Sequence, residues 1–297
     1  MAADRFTTDL KYNFFGRDVV GRLILINCVV FVFVELVGIF LMLFNVPYNP
    51  VASYLSLPAS LETFIYQPWS VVTYMFMHGG IFHILFNMLW LYWFGRLFLQ
   101  FFSAKHLRGL YVLGGIVGGL MYMLAYNLFP YFAGAVYSSY LLGASASVLA
   151  IVIAVGVREP NYPIQLMFVG TVKLKQVAIF MLLLDLLFMT SGNAGGHIAH
   201  LGGALAGWWF AAGLQKGHDA TKWINNILDF LSGSWKPVPR KPKMKVHYSD
   251  KQKDYDFNTR KKERTEEIDR ILDKLRKSGY GSLTDAEKKS LFDASKK

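Results

Sequence analysis

The chain has 297 residues, 54% of them hydrophobic, and a formal net charge of +11. The two properties belong to different stretches: long apolar runs with few charges extend to about residue 215, and a Lys- and Arg-rich segment without such runs follows. Run after run reaches the ~20 apolar residues that cross a bilayer, which excludes a purely soluble fold, and a lone cysteine, Cys28, excludes an internal disulfide.

Residues 1–21 read as a polar N-terminal segment without a cleavable signal peptide. The apolar run behind it is too long for a signal core and lacks a small-residue cleavage site. Six helices are predicted, over residues 22–45, 80–101, 107–129, 141–157, 173–191 and 197–215. The first connection, 46–79, is long. It carries Tyr48, Tyr54, Phe64, Tyr66 and Trp69 with Pro47, Pro50, Pro58 and Pro68, and such aromatics favour the membrane interface. Lys11, Arg17 and Arg22 precede the first helix, Arg96, Lys105 and Arg108 flank the second turn, and Arg158, Lys173 and Lys175 flank the fourth. Loops 46–79, 130–140 and 190–197 hold no Lys or Arg. The positive-inside rule then puts both termini in the cytoplasm.

Behind the sixth helix, 216–262 reads as a short interfacial helix over 221–231 followed by a basic linker. The linker's charge would draw it to anionic lipid on the cytoplasmic leaflet. No nucleic-acid-binding fold accompanies that charge, so nucleic acid is not an expected partner. Residues 263–297 read as a cytoplasmic helical hairpin. Ile268, Ile271, Leu272 and Leu275 form its apolar stripe, and Thr284 with Glu287 forms a capping box for the last helix. It is expected to bury little core alone and to act as a docking or regulatory element for a cytoplasmic partner, or else as a solvated anchor.

The apolar part contains polar residues that are costly at membrane depth and therefore functional candidates. Ser145, in Gly143-Ala144-Ser145-Ala146, begins the fourth helix; His200 lies near the start of the sixth; His83 and Asn87 lie near the start of the second. In the orientation above, all four fall at one depth below the outer face. A serine hydroxyl becomes a nucleophile when a neutral imidazole takes its proton, and the small residues around Ser145, with the Gly203/Gly207 pair, allow close approach of the fourth and sixth helices. No acid neighbours His200 in sequence, so a dyad is the economical reading. His83 and Asn87, four apart, share one helix face and suit an oxyanion hole. The alternatives are a packing serine with a hydrogen-bonded core histidine, and a polar clamp between helices. A metal is not expected, since neither an HExxH pattern nor a cysteine partner is present. Glu35 and Asp185 are further acids within the apolar part, without an assigned partner; such charges normally face the bundle interior or pair, and a structural role is expected for both, the alternative being that they tune the site or seal a water pocket.

The ordered set His78, His83, Asn87, then Gly143-Ala144-Ser145, then Ala199-His200-Leu201-Gly202-Gly203 continuing to Gly207, resembles the rhomboid intramembrane serine proteases over about residues 20–215. The resemblance implies an all-α polytopic membrane protein, a six-transmembrane-helix rhomboid bundle with a small helical cytoplasmic tail. It implies Ser145 as nucleophile, His200 as general base and acid, and His83 and Asn87 with the Ser145 amide as the oxyanion hole. Gly143 would admit the substrate backbone and His78 would organise the first loop. No cofactor is implied. The substrates would be single-span membrane proteins, cut from the outer side of a bacterial inner membrane. Three positions depart from the family's pattern: Ala146 stands where Gly is usual, Leu149 where an aromatic often supports the histidine, and Trp69-Ser70 where Trp-Arg is common. Ser147 points to another helix face and reads as packing. The tail resembles an extension found on some bacterial rhomboids, especially of Bacteroidetes type. Rival readings are a catalytically silent relative that binds transmembrane helices, and a transporter or channel in which Glu35 and Asp185 mark a polar path.

Overall fold

The computed structural model describes residues 18–166, 170–190, 192–233 and 251–295. The expectations for Lys11, Arg17 and most of the basic linker lie outside these residues. The chain divides into two compact units, Met1–Lys236 and Pro237–Lys297.

In the first unit, helices stand at all six predicted positions: α1 (Val19–Leu43), α5 (Ile81–Phe101), α6 (Ala104–Leu128), α7 (Ser145–Arg158), α8 (Leu174–Leu187) and α9 (Ala194–Gln215). Among the described residues, α1, α5 and α6 are long and apolar enough to cross a membrane. The first connection folds into short helices α2 (Pro50–Leu55), α3 (Leu61–Tyr66) and α4 (Ser70–Thr73), and α10 (Lys222–Leu231) follows α9.

Helix α7 is the hub. It is apolar on every side, and residues 146–156 are all buried, as an all-round apolar helix requires. Small residues spaced four apart make the burial close. Adding a Cβ to Gly203 or Gly207 of α9 would drive it into the carbonyl oxygens of Ala146 and Ala150 of α7. A Cβ on Gly114 of α6 would stand 2.6 Å from the Ala150 Cβ, and one on Gly118 would stand 2.7 Å from the Ala146 Cβ. Helices α6, α7 and α9 thus meet backbone to backbone, the contact that glycine rows permit. Ala146 is accommodated because Gly118 faces it, and Ser147 is buried against Gly115.

Helix α1 lies at the edge. Asp18 caps it by accepting from Val20 N–H and Gly21 N–H, both at 3.2 Å, and also pairs with Arg96 at 2.7 Å. Buried Asn27 is held by the Leu23 carbonyl and the Tyr111 hydroxyl. Much of its remaining surface, Val29, Phe33, Leu36 and Phe40 included, is exposed. Glu35 is exposed as well, so the expectation that this acid faces the bundle interior is corrected.

The all-α expectation is amended by two small antiparallel sheets. β1 (Leu57–Pro58) pairs with β2 (Tyr140–Leu141), Leu57 opposite Leu141, and β3 (Pro163–Leu166) pairs with β4 (Gly170–Lys173). The first sheet sews the long connection to the segment that leads into α7. The Ala59 N–H donates to the Ser139 carbonyl at 3.0 Å, and the Gly143 N–H to the Tyr74 carbonyl at 3.0 Å. Trp69 anchors the connection without an arginine beside it, its indole N–H donating to the Tyr54 carbonyl at 3.0 Å, and the Thr73 hydroxyl donates to the Leu55 carbonyl at 2.7 Å.

Helix α10 buries Ile224 and Asn225 and leaves Trp223, Ile227, Phe230 and Leu231 exposed. Asp229 receives Arg108 and Lys105 of α6. Hydrogen bonds from Arg108 first, then Lys105, hold its carboxyl below the ordinary carboxylate range.

The second unit is a hairpin of α11 (Lys251–Ser278) and α12 (Asp285–Ser295). Helix α11 starts at Lys251, ahead of the predicted 263. The stretch between lacks an apolar stripe, but it also lacks Gly and Pro, so nothing stops the helix. Gly279, at φ +76°, makes the turn. The capping box forms: the Thr284 N–H donates to Glu287 at 2.7 Å and the Glu287 N–H to the Thr284 hydroxyl at 3.3 Å. Lys274 pairs with Glu287 at 2.9 Å, and that hydrogen bond is the main reason its carboxyl sits low. Ile271 and Leu283 are the buried apolar contacts of this unit.

Candidate active site

A cavity of about 770 Å³ opens where α5, α6, α7, α8 and α9 converge on the segment around β2. Ser145, His200, His83 and Asn87 all line it. Residues more than fifty positions apart in sequence are therefore brought to one wall.

Ser145 is the first residue of α7 and is half-buried. The first amides of a helix have no intrahelical partner and carry its positive dipole end. A negative oxygen formed beside Ser145 would meet those N–H groups. Gly143, two residues earlier, has φ +127°, a conformation that favours glycine. A Cβ there would lie 2.9 Å from both Cε1 and Nε2 of His83 and 3.7 Å from the Ser145 Oγ. The missing side chain leaves the imidazole edge and the hydroxyl facing the same small space.

The Gly79 N–H donates to His83 Nδ1 at 3.3 Å. With Nδ1 as acceptor, the proton of a neutral ring sits on Nε2, the atom over Gly143. Asn87 donates one amide hydrogen to the His83 carbonyl at 2.9 Å and keeps the other. The His78 ring packs edge-on against His83 at 5.1 Å.

His200 is half-buried on α9. Its ring and the Ser145 hydroxyl share the cavity without a hydrogen bond between them in this structure; in catalytic pairs that contact often tightens only when substrate binds. The expectation that no acid attends this histidine is corrected. Asp185 of α8, buried, accepts from His200 Nδ1 at 2.7 Å and from His197 Nδ1 at 2.8 Å, both on Oδ1. Asp185 lies fifteen residues before His200 and on another helix, so no local spacing could pair them. The three groups resemble a metal-ligand set. Two ligands on one tetrahedral zinc stand roughly 3.3 Å apart, given bonds near 2.0–2.1 Å. The observed 2.7–2.8 Å is the spacing of hydrogen bonds donated to a carboxylate.

Leu149 is buried in the cavity wall, where it offers no ring to His200. His197 stands edge-on to His200 at 5.8 Å instead. Tyr122 and Tyr126 of α6, which sequence reasoning missed, also line the cavity, the Tyr122 ring packed beneath Gly195. A tyrosine in an apolar helix carries no signal that separates lining from packing.

Three comparisons bear on this arrangement. Residues 66–217 match the Rhomboid domain family. Residues 251–297, the α11–α12 hairpin, match a family of unknown function, DUF6576. The protein named RHOMBOID-like protein 12, mitochondrial, of Arabidopsis thaliana is 29% identical over 157 residues, which cover 50% of this chain and 47% of that protein. The chain thus spans about half the length of this curated relative. The domain match runs from the end of the first connection through α9 and so contains every residue of the cavity wall. With its apolar helices those of an integral membrane protein, the chain belongs to the rhomboid family.

Proposed function

We propose that the protein is an intramembrane serine endopeptidase that cuts transmembrane segments of single-span proteins. One observation carries the reading: Ser145, at a helix N-terminus, shares a cavity with His200 and with donor groups on His83 and Asn87. In the proposed reaction the Ser145 oxygen attacks the scissile carbonyl carbon while its proton passes to His200 Nε2. The developing oxyanion is held by His83 Nε2–H, the free Asn87 amide hydrogen and the Ser145 N–H. His200 then gives its proton to the leaving amine. Water, deprotonated by the same nitrogen, releases the acyl group and restores the serine.

Six spans in a bacterial inner membrane fit this chemistry. Helix α7 has 14 residues, about 21 Å at 1.5 Å per residue, against a hydrocarbon core of ~30 Å. A helix that short, with Arg158 at its far end, leaves Ser145 recessed below the opposite surface, beneath a polar opening. Arg96, Lys105, Arg108, Arg158 and Lys173 all stand at helix ends away from the cavity, which supports cytoplasmic termini and an outward-facing site. The exposed apolar face of α10 and the basic residues behind it suit the anionic cytoplasmic leaflet, and the hairpin would serve a cytoplasmic partner.

The test is cleavage of a panel of fluorescent single-span substrates in liposomes, with fluorophosphonate labelling in parallel. Labelling at Ser145 together with cleavage supports the reading. A folded protein that neither labels nor cuts would be a silent, helix-binding rhomboid. A second expectation follows from Gly143. Gly143→Ala places a methyl against His83 at a strained φ, so kcat/KM should fall by ~10²-fold, the usual cost of one displaced oxyanion donor. KM should change little; equal loss through KM would instead make Gly143 a substrate-binding position.

A further inference from the structure

Asp185 is the buried acid that the proposed reaction does not yet use. Its Oδ1 receives both His200 Nδ1 and His197 Nδ1. The two histidines are three apart, hence on one face of α9, while the acid comes from α8. The His197 ring is backed by Phe188 at 5.9 Å, and Leu149 in the cavity wall offers no ring to His200.

A carboxylate accepts and does not donate. Both contacts are therefore Nδ1–H donations, and neutral His200 keeps its lone pair on Nε2. That is the nitrogen the serine proton must reach. We propose that Asp185 is a positioning residue: it fixes the tautomer and ring orientation of His200, and His197 fixes Asp185 by occupying the second lone pair of the same oxygen. The inference rests on the protease reading. When Ser145 adds to the carbonyl, its proton moves to His200 Nε2 and the ring becomes an imidazolium with Nδ1–H retained. Asp185 stays ionised and opposite that charge, and takes no proton. The proton then leaves on the amine. The acid is thus most useful at the moment when His200 is cationic.

The arrangement ranks two substitutions. Asp185→Asn keeps shape but can turn an amide N–H toward Nδ1, forcing the proton to Nε2, where it blocks the base. His197→Ala leaves Asp185 in place with freedom to turn. The full-length protein, reconstituted in liposomes, is compared as wild type, Asp185→Asn, Asp185→Glu and His197→Ala. The readouts are the rate of fluorophosphonate acylation, kcat and KM on the cleavable panel member, and the ring N–H signals of ¹⁵N-histidine-labelled protein. In wild type a downfield Nδ1–H signal is expected, assigned through its loss in His200→Ala. Asp185→Asn should remove it and slow acylation by ~10²-fold or more, scaled from the loss seen when a serine protease acid becomes an amide. That loss should fall on kcat with KM held, and Asp185→Glu should recover part of the rate. His197→Ala should cost about tenfold or less, and combining it with Asp185→Asn should add little, as expected of groups acting through one contact. Acylation by Asp185→Asn within threefold of wild type, or an unchanged Nδ1–H signal, overturns the proposal. Should Asp185→Asn not fold, Asp185→Glu and His197→Ala carry the same decision, since full activity in both with the signal gone leaves positioning no role. A wild type that shows the assigned signal and does not label overturns the protease reading itself, an outcome that does not depend on the Asp185 or His197 variants.

Discussion

Ser145→Ala is expected to lose at least ~10⁴-fold in kcat and all fluorophosphonate labelling, with the fold intact. The magnitude follows from the role proposed for the hydroxyl: without it no acyl-enzyme would form, and only the oxyanion donors and substrate binding would remain to assist water. His200→Ala should lose a similar factor, because an unactivated serine is nearly as inert as an absent one. The double variant should be scarcely worse than either, since residues that act as a unit are strongly non-additive. Stability should move by ~0.5 kcal/mol or less for Ser145→Ala, as a half-exposed hydroxyl that caps nothing is replaced by a better helix former. Cleavage assays in liposomes, with unfolding followed in mixed detergent, separate the two effects. A Ser145→Ala protein that still cuts would place the nucleophile elsewhere.

The order of the helices, and the gathering of Ser145, His200, His83 and Asn87 in one place, could be read from the sequence. Apolar runs of this length have few alternatives to helix. The tie between Asp185 and His200 could not be read. It joins two helices through side chains, and the only trace in sequence was an acid in an apolar run without a partner. Glu35 left the same trace and turned out exposed on α1, so the trace alone does not tell a site residue from a surface one. β1 and β2 escaped notice for a different reason. Two residues each give no period, and only the long-range contact between the first connection and the α7 approach creates them. Ala146 shows the limit of judging a position alone: its extra methyl is tolerated because Gly118, on another helix, faces it.

Gly203→Val is expected to have the largest effect on the fold. The Cβ alone would overlap the Ala146 carbonyl oxygen, a backbone atom that cannot rotate away. Relief requires α7 and α9 to separate, yet α6 closes the same trio from the other side through Gly114 and Gly118. Overpacking in a well-packed core costs about 1–3 kcal/mol where side chains can yield; here backbone must move, so a loss of ~4 kcal/mol or more is expected, enough to remove most folded protein. Gly134→Ala is the matched control, for nothing lies within 4 Å of its added Cβ, and it should stay within ~0.5 kcal/mol. The milder Gly203→Ala tests the link to chemistry. The carbonyl it presses on belongs to the residue after Ser145, so a small displacement of α7 moves the proposed nucleophile before it unfolds the bundle. Activity should therefore fall at Gly203→Ala by a larger factor than stability does, because a shift of ~1 Å in a catalytic group can cost 10²-fold. Recovery of wild-type yield and cleavage in Gly203→Val would mean that α7 and α9 are not in backbone contact, and that the distance between Ser145 and His200 is set by something else.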